Sequence, residues 1–438
     1  MDTFQHVTEE VTHIALHPGA RRNWWILMAV ALLMLGVFFV STGWLFWLGV
    51  GVWGLNIPVN WGMDIINTVW WVGLGHAGTL ISALLLIMGR HWRTSLNRFA
   101  EAMTLFAAMV AALFPILHLG RPQLFYWMLP YPNDMALWPQ FRSPLTWDVF
   151  SFLAYIVVSF LFWYIGMIPD LATLRDKTTS PRLKIFYGVL ALGWRGSARH
   201  WVRWRQAYVA TALITFHLVV SVHSGVAMLF AAGLVAGWHS TLFPPFFVQS
   251  AVFSGVAVVI LMAVTLRHAF HLYDLLTLRH LDILAKLLLG TGLLTAYGYL
   301  AEGFHAWYSG NPYEMQTLND RLFGTYAWSA WGSIFLNILL IQLLWFRRVR
   351  TNVPLLFGIA AGVTVGMWLE RYLLIVSGLY RDYLPSAWHV YETTWPEWGL
   401  FIGSIGLFGV LFLLFARFLP LVSMFELKED LQREEAAE

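Results

Sequence analysis

Ten apolar runs, each long enough to cross a lipid bilayer, recur along this 438-residue chain, and no other feature limits its fold as strongly. A helix needs about 20 apolar residues to cross a hydrocarbon layer of roughly 30 Å, where backbone groups find no water and must bond within the helix itself. The runs lie at 24–48, 66–89, 97–117, 145–168, 207–236, 247–273, 284–307, 327–346, 354–379 and 397–420. With 59% hydrophobic and 12% charged residues, the chain carries about half the charge of a soluble domain. The expectation is an all-α membrane protein, with 1–23 and 421–438 as cytoplasmic end segments and 24–420 as one ten-helix domain. Met1–Asn23 has no apolar core before a small-residue cleavage site and does not read as a cleaved signal peptide.

The loops fix an orientation. Arg21 and Arg22, Arg90, Arg93 and Arg98, the basic residues from Arg175 to Arg205, Arg267, Arg279 and Lys286, Arg347, Arg348 and Arg350, and Arg417, Lys428 and Arg433 fall on one side. The opposite loops, 49–65, 118–144, 237–246, 308–326 and 380–396, hold only Arg121, Arg142, Arg321 and Arg381. Basic loops stay inside, so both termini are expected in the cytoplasm. The opposite loops are rich in Trp, Tyr, Pro and Gly, as suits a membrane interface and a docking surface. The basic 169–206 loop reads as facing lipid headgroups or solvent, and the tail from Glu426 to Glu438 as a charged, solvated end.

Several classes drop out on composition. A net charge of +3 without a clustered basic face gives no nucleic-acid surface. The chain has no cysteine, which removes disulfides, thiolate-held iron–sulfur clusters and Cys-ligated zinc and leaves any such centre to a partner. His217 and His223 are six residues apart, about 240° around a helix, so they do not form a shared haem-ligating face. No Walker, dinucleotide or His-Glu-x-x-His motif occurs.

The stretch from Leu113 to Phe150 holds the densest mix of rings and ionisable groups: His118, Arg121, Tyr126, Trp127, Tyr131, Asp134, Trp138, Arg142, Trp147 and Asp148. His118 ends the third span and Asp148 starts the fourth, so both sit at one depth on the outer face. Ser143 followed by Pro144 is a better helix start than Asp148, which leaves Asp148 to chemistry or to pairing with Arg121 or Arg142. Quinol oxidation removes two protons with two electrons, and an imidazole with a pKa of about 6.5 suits one acceptor role. A carboxylate can take the other proton or orient the histidine. The segment is therefore expected to close over a quinol head group, with His118 and Asp148 as the proton acceptors.

Ionisable groups within a bilayer are expensive and mark cavities or bundle interiors. His76 lies in Gly73-Leu74-Gly75-His76-Ala77-Gly78, where small neighbours allow close helix packing. Arg371 stands beside Glu370 in the ninth span, and adjacent helical residues do not face each other. Glu302 and His305 share a face of the seventh span. Asp64 stands at the outer mouth of the second, His217 and His223 in the fifth, and His268, His271 and Asp274 near the inner end of the sixth. Together these form a candidate hydrated proton route; a structural role is the competing reading for each. Arg90-His91 and Arg267-His268, each just past a hydrophobic run, echo one another and suggest two related four-helix bundles, spans two to five and six to nine.

The runs Gly75-His76-Ala77-Gly78-Thr79-Leu80-Ile81-Ser82, Asn97-Arg98-Phe99-Ala100-Glu101-Ala102-Met103-Thr104, His118-Leu119-Gly120-Arg121-Pro122, Pro130-Tyr131-Pro132-Asn133, Phe141-Arg142-Ser143-Pro144 with Trp147-Asp148, and Ile168-Pro169-Asp170-Leu171-Ala172-Thr173 resemble the NrfD/PsrC-like membrane subunits of alternative complex III, most closely ActC. The resemblance implies two four-helix bundles flanked by a first and last helix, in a bacterial cytoplasmic (inner) membrane. It implies a quinol, menaquinol or ubiquinol, bound near the outer face by His118 and Asp148, with Arg371 and His76 as further pocket residues. It also implies a peripheral iron–sulfur subunit, haem subunits of the c type and a paralogous NrfD-like subunit, ActF, as partners. Two rival readings are the anchor of a polysulfide- or nitrite-reductase-like complex, running quinone chemistry the other way, and a solute transporter. Eight spans are common among such anchors. A transporter should show matched Gly/Pro breaks in both halves, whereas Pro115 and Pro244-Pro245 lie at span ends. A purely structural anchor is a third.

Overall fold

A computed structural model of the chain describes residues 3–16, 22–128, 144–381 and 383–437. Among these the regular elements are all helical, and ten helices are long and apolar enough to span a membrane. They run Arg22–Leu48, Met63–Ile87, Asn97–His118, Thr146–Lys177, Ala198–Ala231, Phe243–Ala269, Leu278–Ser309, Ala327–Trp345, Val353–Leu379 and Trp395–Phe418. The expected Pro130–Asn133 motif, Asp134, Trp138, Arg142 and the Ser143 cap lie outside the described residues.

The second to fifth spans contact one another in a closed ring, as do the sixth to ninth. The second and sixth spans join the two bundles, while the first span pairs with the tenth, which packs against the second and third. Lipid offers no hydrophobic drive for helices to associate, so close backbone approach over small residues and interhelical hydrogen bonds carry the packing. A Cβ at Gly78 would strike the carbonyl of Ala100 on the third span, and one at Gly403 the backbone of Phe38 on the first. Thr104 Oγ1 donates to the Gly75 carbonyl at 2.5 Å across the same contact. Indole N–H groups tie the second span outward: Trp71 to Ser404 at 2.9 Å, and Trp368 to Asn67 at 3.1 Å.

Three segments depart from the sequence reading. The basic 169–206 loop is mostly helix: the fourth span runs on to Lys177, a short helix covers Pro181–Leu190, and the fifth span begins at Ala198. The loop at 308–326 carries a helix, Pro312–Phe323, capped by Asn311 with proline in the first turn. Glu426 is not solvated. It is 7% exposed, pairs with Arg93 and accepts from Asn97 Nδ2 at 2.5 Å, because the helix Met424–Ala437 folds back over the arginine-rich end of the first bundle. The N-terminal helix Thr3–Leu16 packs beside it, with Val7 and Val11 buried.

Candidate functional site

Pro115 decides where His118 points. Proline has no N–H to give to the carbonyl four residues back and its ring crowds that carbonyl. The third span accordingly breaks at Ala112 and resumes as a short helix, Leu113–His118. This last turn carries His118 onto the second span, where Nδ1 meets the carboxylate of Asp64. Asp64 lies in the first turn of its helix, a favourable place for negative charge, and Thr68 Oγ1 donates to its carbonyl at 2.9 Å. The carboxylate that orients the histidine is therefore Asp64 rather than Asp148.

Asp148 approaches from the fourth span. Both His118 and Asp148 line one cavity of about 360 Å³ between the second, third, fourth and fifth spans, toward their arginine-poor ends. Its walls are apolar and aromatic: Trp61, Phe152, Phe230 and Phe247, with valines of the second and fifth spans. Trp61 stacks on Trp238 at 5.8 Å and meets Phe230 edge-on at 5.6 Å. Among the described residues Asp148 makes no ion pair; Arg121 is exposed and not its partner. Tyr155, one further turn along the face that carries Asp148 and Phe152, is 2% exposed. Its hydroxyl and Asp64 Oδ1 are buried without a hydrogen-bond partner. Buried polar atoms are normally satisfied, and orphans beside a cavity point to something that fills it.

Deeper in the bundle, His76 and His223 pack with ring centroids 4.4 Å apart, each 1% exposed. His223 stacks on Phe247 at 5.0 Å, which joins this pair to the cavity wall. Nε2 of His76 and both ring nitrogens of His223 lack partners. Arg371 lies over the same Phe247 ring at 4.3 Å and donates to Ser250 Oγ at 2.7 Å. It also meets Glu370 at 2.8 Å. The helix does turn the two Cβ atoms apart, but the long guanidinium arm folds back to its neighbour.

The remaining candidates do not join this group. Glu302 is paired with Arg321 at 2.6 Å, while His305 is exposed on the same helix. His217 is exposed and bonds the Leu213 carbonyl of its own helix. Asp274 is exposed near the arginine-rich end, His271 is exposed beside it, and His268 bonds the Val264 carbonyl. A single route through all the predicted positions is thus not formed; Asp64, His118, Asp148, His76, His223 and Arg371 are the ones gathered around or beside the cavity. Tyr155, Trp61 and Phe247 were missed. Tyr155 had a legible signal, since it stands seven residues after Asp148 and so shares its helical face.

A sequence profile described as "Polysulphide reductase, NrfD" matches residues 51–381, which begin before the second span and end after the ninth. The chain is 26% identical over 398 residues to a selenate reductase subunit of Mesobacillus selenatarsenatis, covering 85% of this chain and 88% of that protein. It is 25% identical over 230 residues to a putative membrane subunit of the dimethyl sulfoxide reductase of Halobacterium salinarum, covering 50% of this chain and 48% of that protein.

Proposed function

The chain belongs to the polysulphide reductase NrfD family, quinone-interacting membrane subunits of reductase complexes, and from that premise we propose that it oxidises a membrane quinol in the cavity between His118 and Asp148. One observation carries the reading: an imidazole and a carboxyl from neighbouring spans line a single aromatic cavity. About 360 Å³ falls in the usual range for small-molecule sites, roughly 300–1,000 Å³. The His118 imidazole, the Asp148 carboxyl and the unpartnered Tyr155 hydroxyl, set among aromatic walls, suit a ligand with hydroxyls at its edge and a flat apolar body.

A quinol supplies two electrons and two protons when bound there. With Nδ1 directed at Asp64, His118 keeps Nε2 as its basic nitrogen, and the ion pair with Asp64 stabilises the imidazolium once a proton arrives. Asp148 accepts the second proton. Tyr155 holds the ring in register, and Trp61, Phe230 and Phe247 exclude water from its faces. On the orientation read from the loops, the cavity lies in the outer half of the bundle, so the protons leave to the periplasm. Electrons pass to a partner iron–sulfur subunit docked over the aromatic loops. His76, His223 and Arg371 stand next in line for any proton traffic across the bilayer.

Two assignments fit within this reading. In one the chain is the ActC-like subunit of an alternative complex III, with haem subunits of the c type and a paralogous membrane subunit beside it. In the other it anchors a reductase, as the names of the selenate and dimethyl sulfoxide reductase subunits favour; reduction of such an acceptor consumes the quinol's electrons, so the quinone chemistry runs in the same direction and not in reverse. Chain length does not separate them, since the selenate reductase subunit aligns over 88% of its own length. Purification from native membranes tests both: c haem in the complex supports the first, and a catalytic reductase subunit without c haem the second. Quinol-dependent turnover that is unchanged in both His118→Ala and Asp148→Asn removes the site from either.

A further inference from the structure

Two bases face three acids at the arginine-rich end of the first bundle. Arg93 and Arg98 are 4% and 1% exposed; Glu101, Asp170 and Glu426 are 0%, 1% and 7% exposed. Arg93 pairs with Glu426, and Arg98 with Asp170 at 3.1 Å. Glu101 is left over. The nearest guanidinium nitrogen, Arg98 Nη1, is 3.7 Å from Glu101 Oε2, and that oxygen has no hydrogen-bond partner. The other carboxyl oxygen accepts from Ser82 at 2.5 Å and from Tyr208 at 3.5 Å.

Charge withdrawn from water persists only where it is matched. Three carboxylates against two guanidiniums leave one negative charge over, and a proton on the least well paired carboxyl removes it. We infer that Glu101 is a proton-binding site, loaded from the aqueous phase on the arginine-rich side of the membrane.

A way in is present. Tyr208, Arg93 and Glu426 line a cleft of about 70 Å³ whose rim carries Arg90, Arg205 and Arg433 with Glu429 and Asp430, groups nearer water that screen one another rather than the buried carboxyl. Tyr208 lines the cleft, and its hydroxyl reaches the carboxylate at 3.5 Å. It can pass its proton to Glu101 and take another from a water in the cleft, so that atoms and charge balance at the tyrosine. The direct opening beneath the bundle is closed by the C-terminal helix. Phe425 stacks on Trp201 at 4.0 Å and its N–H donates to Asp170 at 3.3 Å, while Ser423 accepts from Arg98 at 3.1 Å. Glu426 thus serves both as one of the three acids and as part of the plug. The inference stands apart from the quinol reading, because it concerns exchange with water at the other end of the bundle.

Infrared spectroscopy of the full chain in native membranes tests it. The expected spectrum contains the carbonyl stretch of a protonated carboxylic acid, which shifts to lower frequency on transfer from H2O to D2O. Glu101→Gln loses this band. Glu101→Asp keeps the acid and moves its frequency, which decides the matter if the glutamine variant does not fold. Tyr208→Phe slows the appearance of the deuterium shift. A band that survives Glu101→Gln, that stays put in Glu101→Asp, or that never responds to D2O overturns the assignment, and an unaltered exchange rate in Tyr208→Phe overturns the route.

Discussion

The two ends of the first bundle handle polar groups in opposite ways. At the arginine-poor end, His118, Asp148 and Tyr155 line open space with Asp64 behind His118, and the Tyr155 hydroxyl and Asp64 Oδ1 have no hydrogen-bond partner. At the arginine-rich end, Arg93, Arg98, Asp170 and Glu426 pair with one another under a helix that folds back to cover them, beside a cleft of only about 70 Å³. The first arrangement is incomplete without a ligand. The second is covered by the chain itself and matched by opposite charge, although Arg93 Nη1, Asn97 Oδ1, Arg98 Nε and Glu101 Oε2 lack a hydrogen-bond partner. Polar residues at comparable burial therefore mean different things according to whether they stand at open space or are matched by opposite charge within the chain.

The contrast can be broken by mutation, and the largest effect is expected at the open end. His118→Ala should lower quinol-dependent turnover about 10²- to 10⁴-fold, the usual worth of a positioned acid–base group, while leaving the amount of folded protein in the membrane unchanged. At the packed end the pattern reverses. Arg98→Met strands Asp170 in the bundle, and breaking a buried pair costs about 3–5 kcal/mol. The expected outcome is a sharp fall in extractable, folded chain, with near-normal turnover per molecule in what remains. If Arg98→Met were abundant but inactive, the distinction between the two ends would fail.

Smaller changes sharpen the picture. Tyr155→Phe removes one hydroxyl from the cavity wall, and a hydrogen bond is worth about 0.5–1.5 kcal/mol net, so quinol affinity should fall a few-fold to about tenfold with little change in thermal stability. Arg205→Gln releases Glu429 at the exposed rim, where 58% of the arginine side chain is in solvent. Such a pair contributes less than about 1 kcal/mol, and neither stability nor turnover should change measurably.

Span number and position were legible because a bilayer demands long apolar runs whatever their neighbours do: the predicted 24–48 and 397–420 appear as Arg22–Leu48 and Trp395–Phe418. The depth of His118 and Asp148 followed from the same counting. Their lateral arrangement did not. That Asp64 holds His118 depends on the break at Pro115 and on how the third span rotates against the second, which is decided by contacts such as Gly78 on Ala100. The buried cluster at the other end gave a partial signal. Arg93, Arg98, Glu101 and Asp170 all stand within or beside apolar runs, where an ionisable residue needs a partner, yet the partner of Arg93, Glu426, lies 333 residues further along in a stretch whose composition resembles a solvated tail. Charge alone could not distinguish that tail from a plug, because its burial arises from Phe425 settling between Trp201 and Trp204.

The central claim is that a quinol head group sits between His118 and Asp148, and photoaffinity labelling with an azido-quinone followed by peptide mapping tests it most directly. Adducts on the stretches 61–72, 148–155 and 222–230, displaced by excess quinol, are the predicted result. Adducts confined to other cavities, such as the one lined by His239, Glu302 and His305, would contradict it.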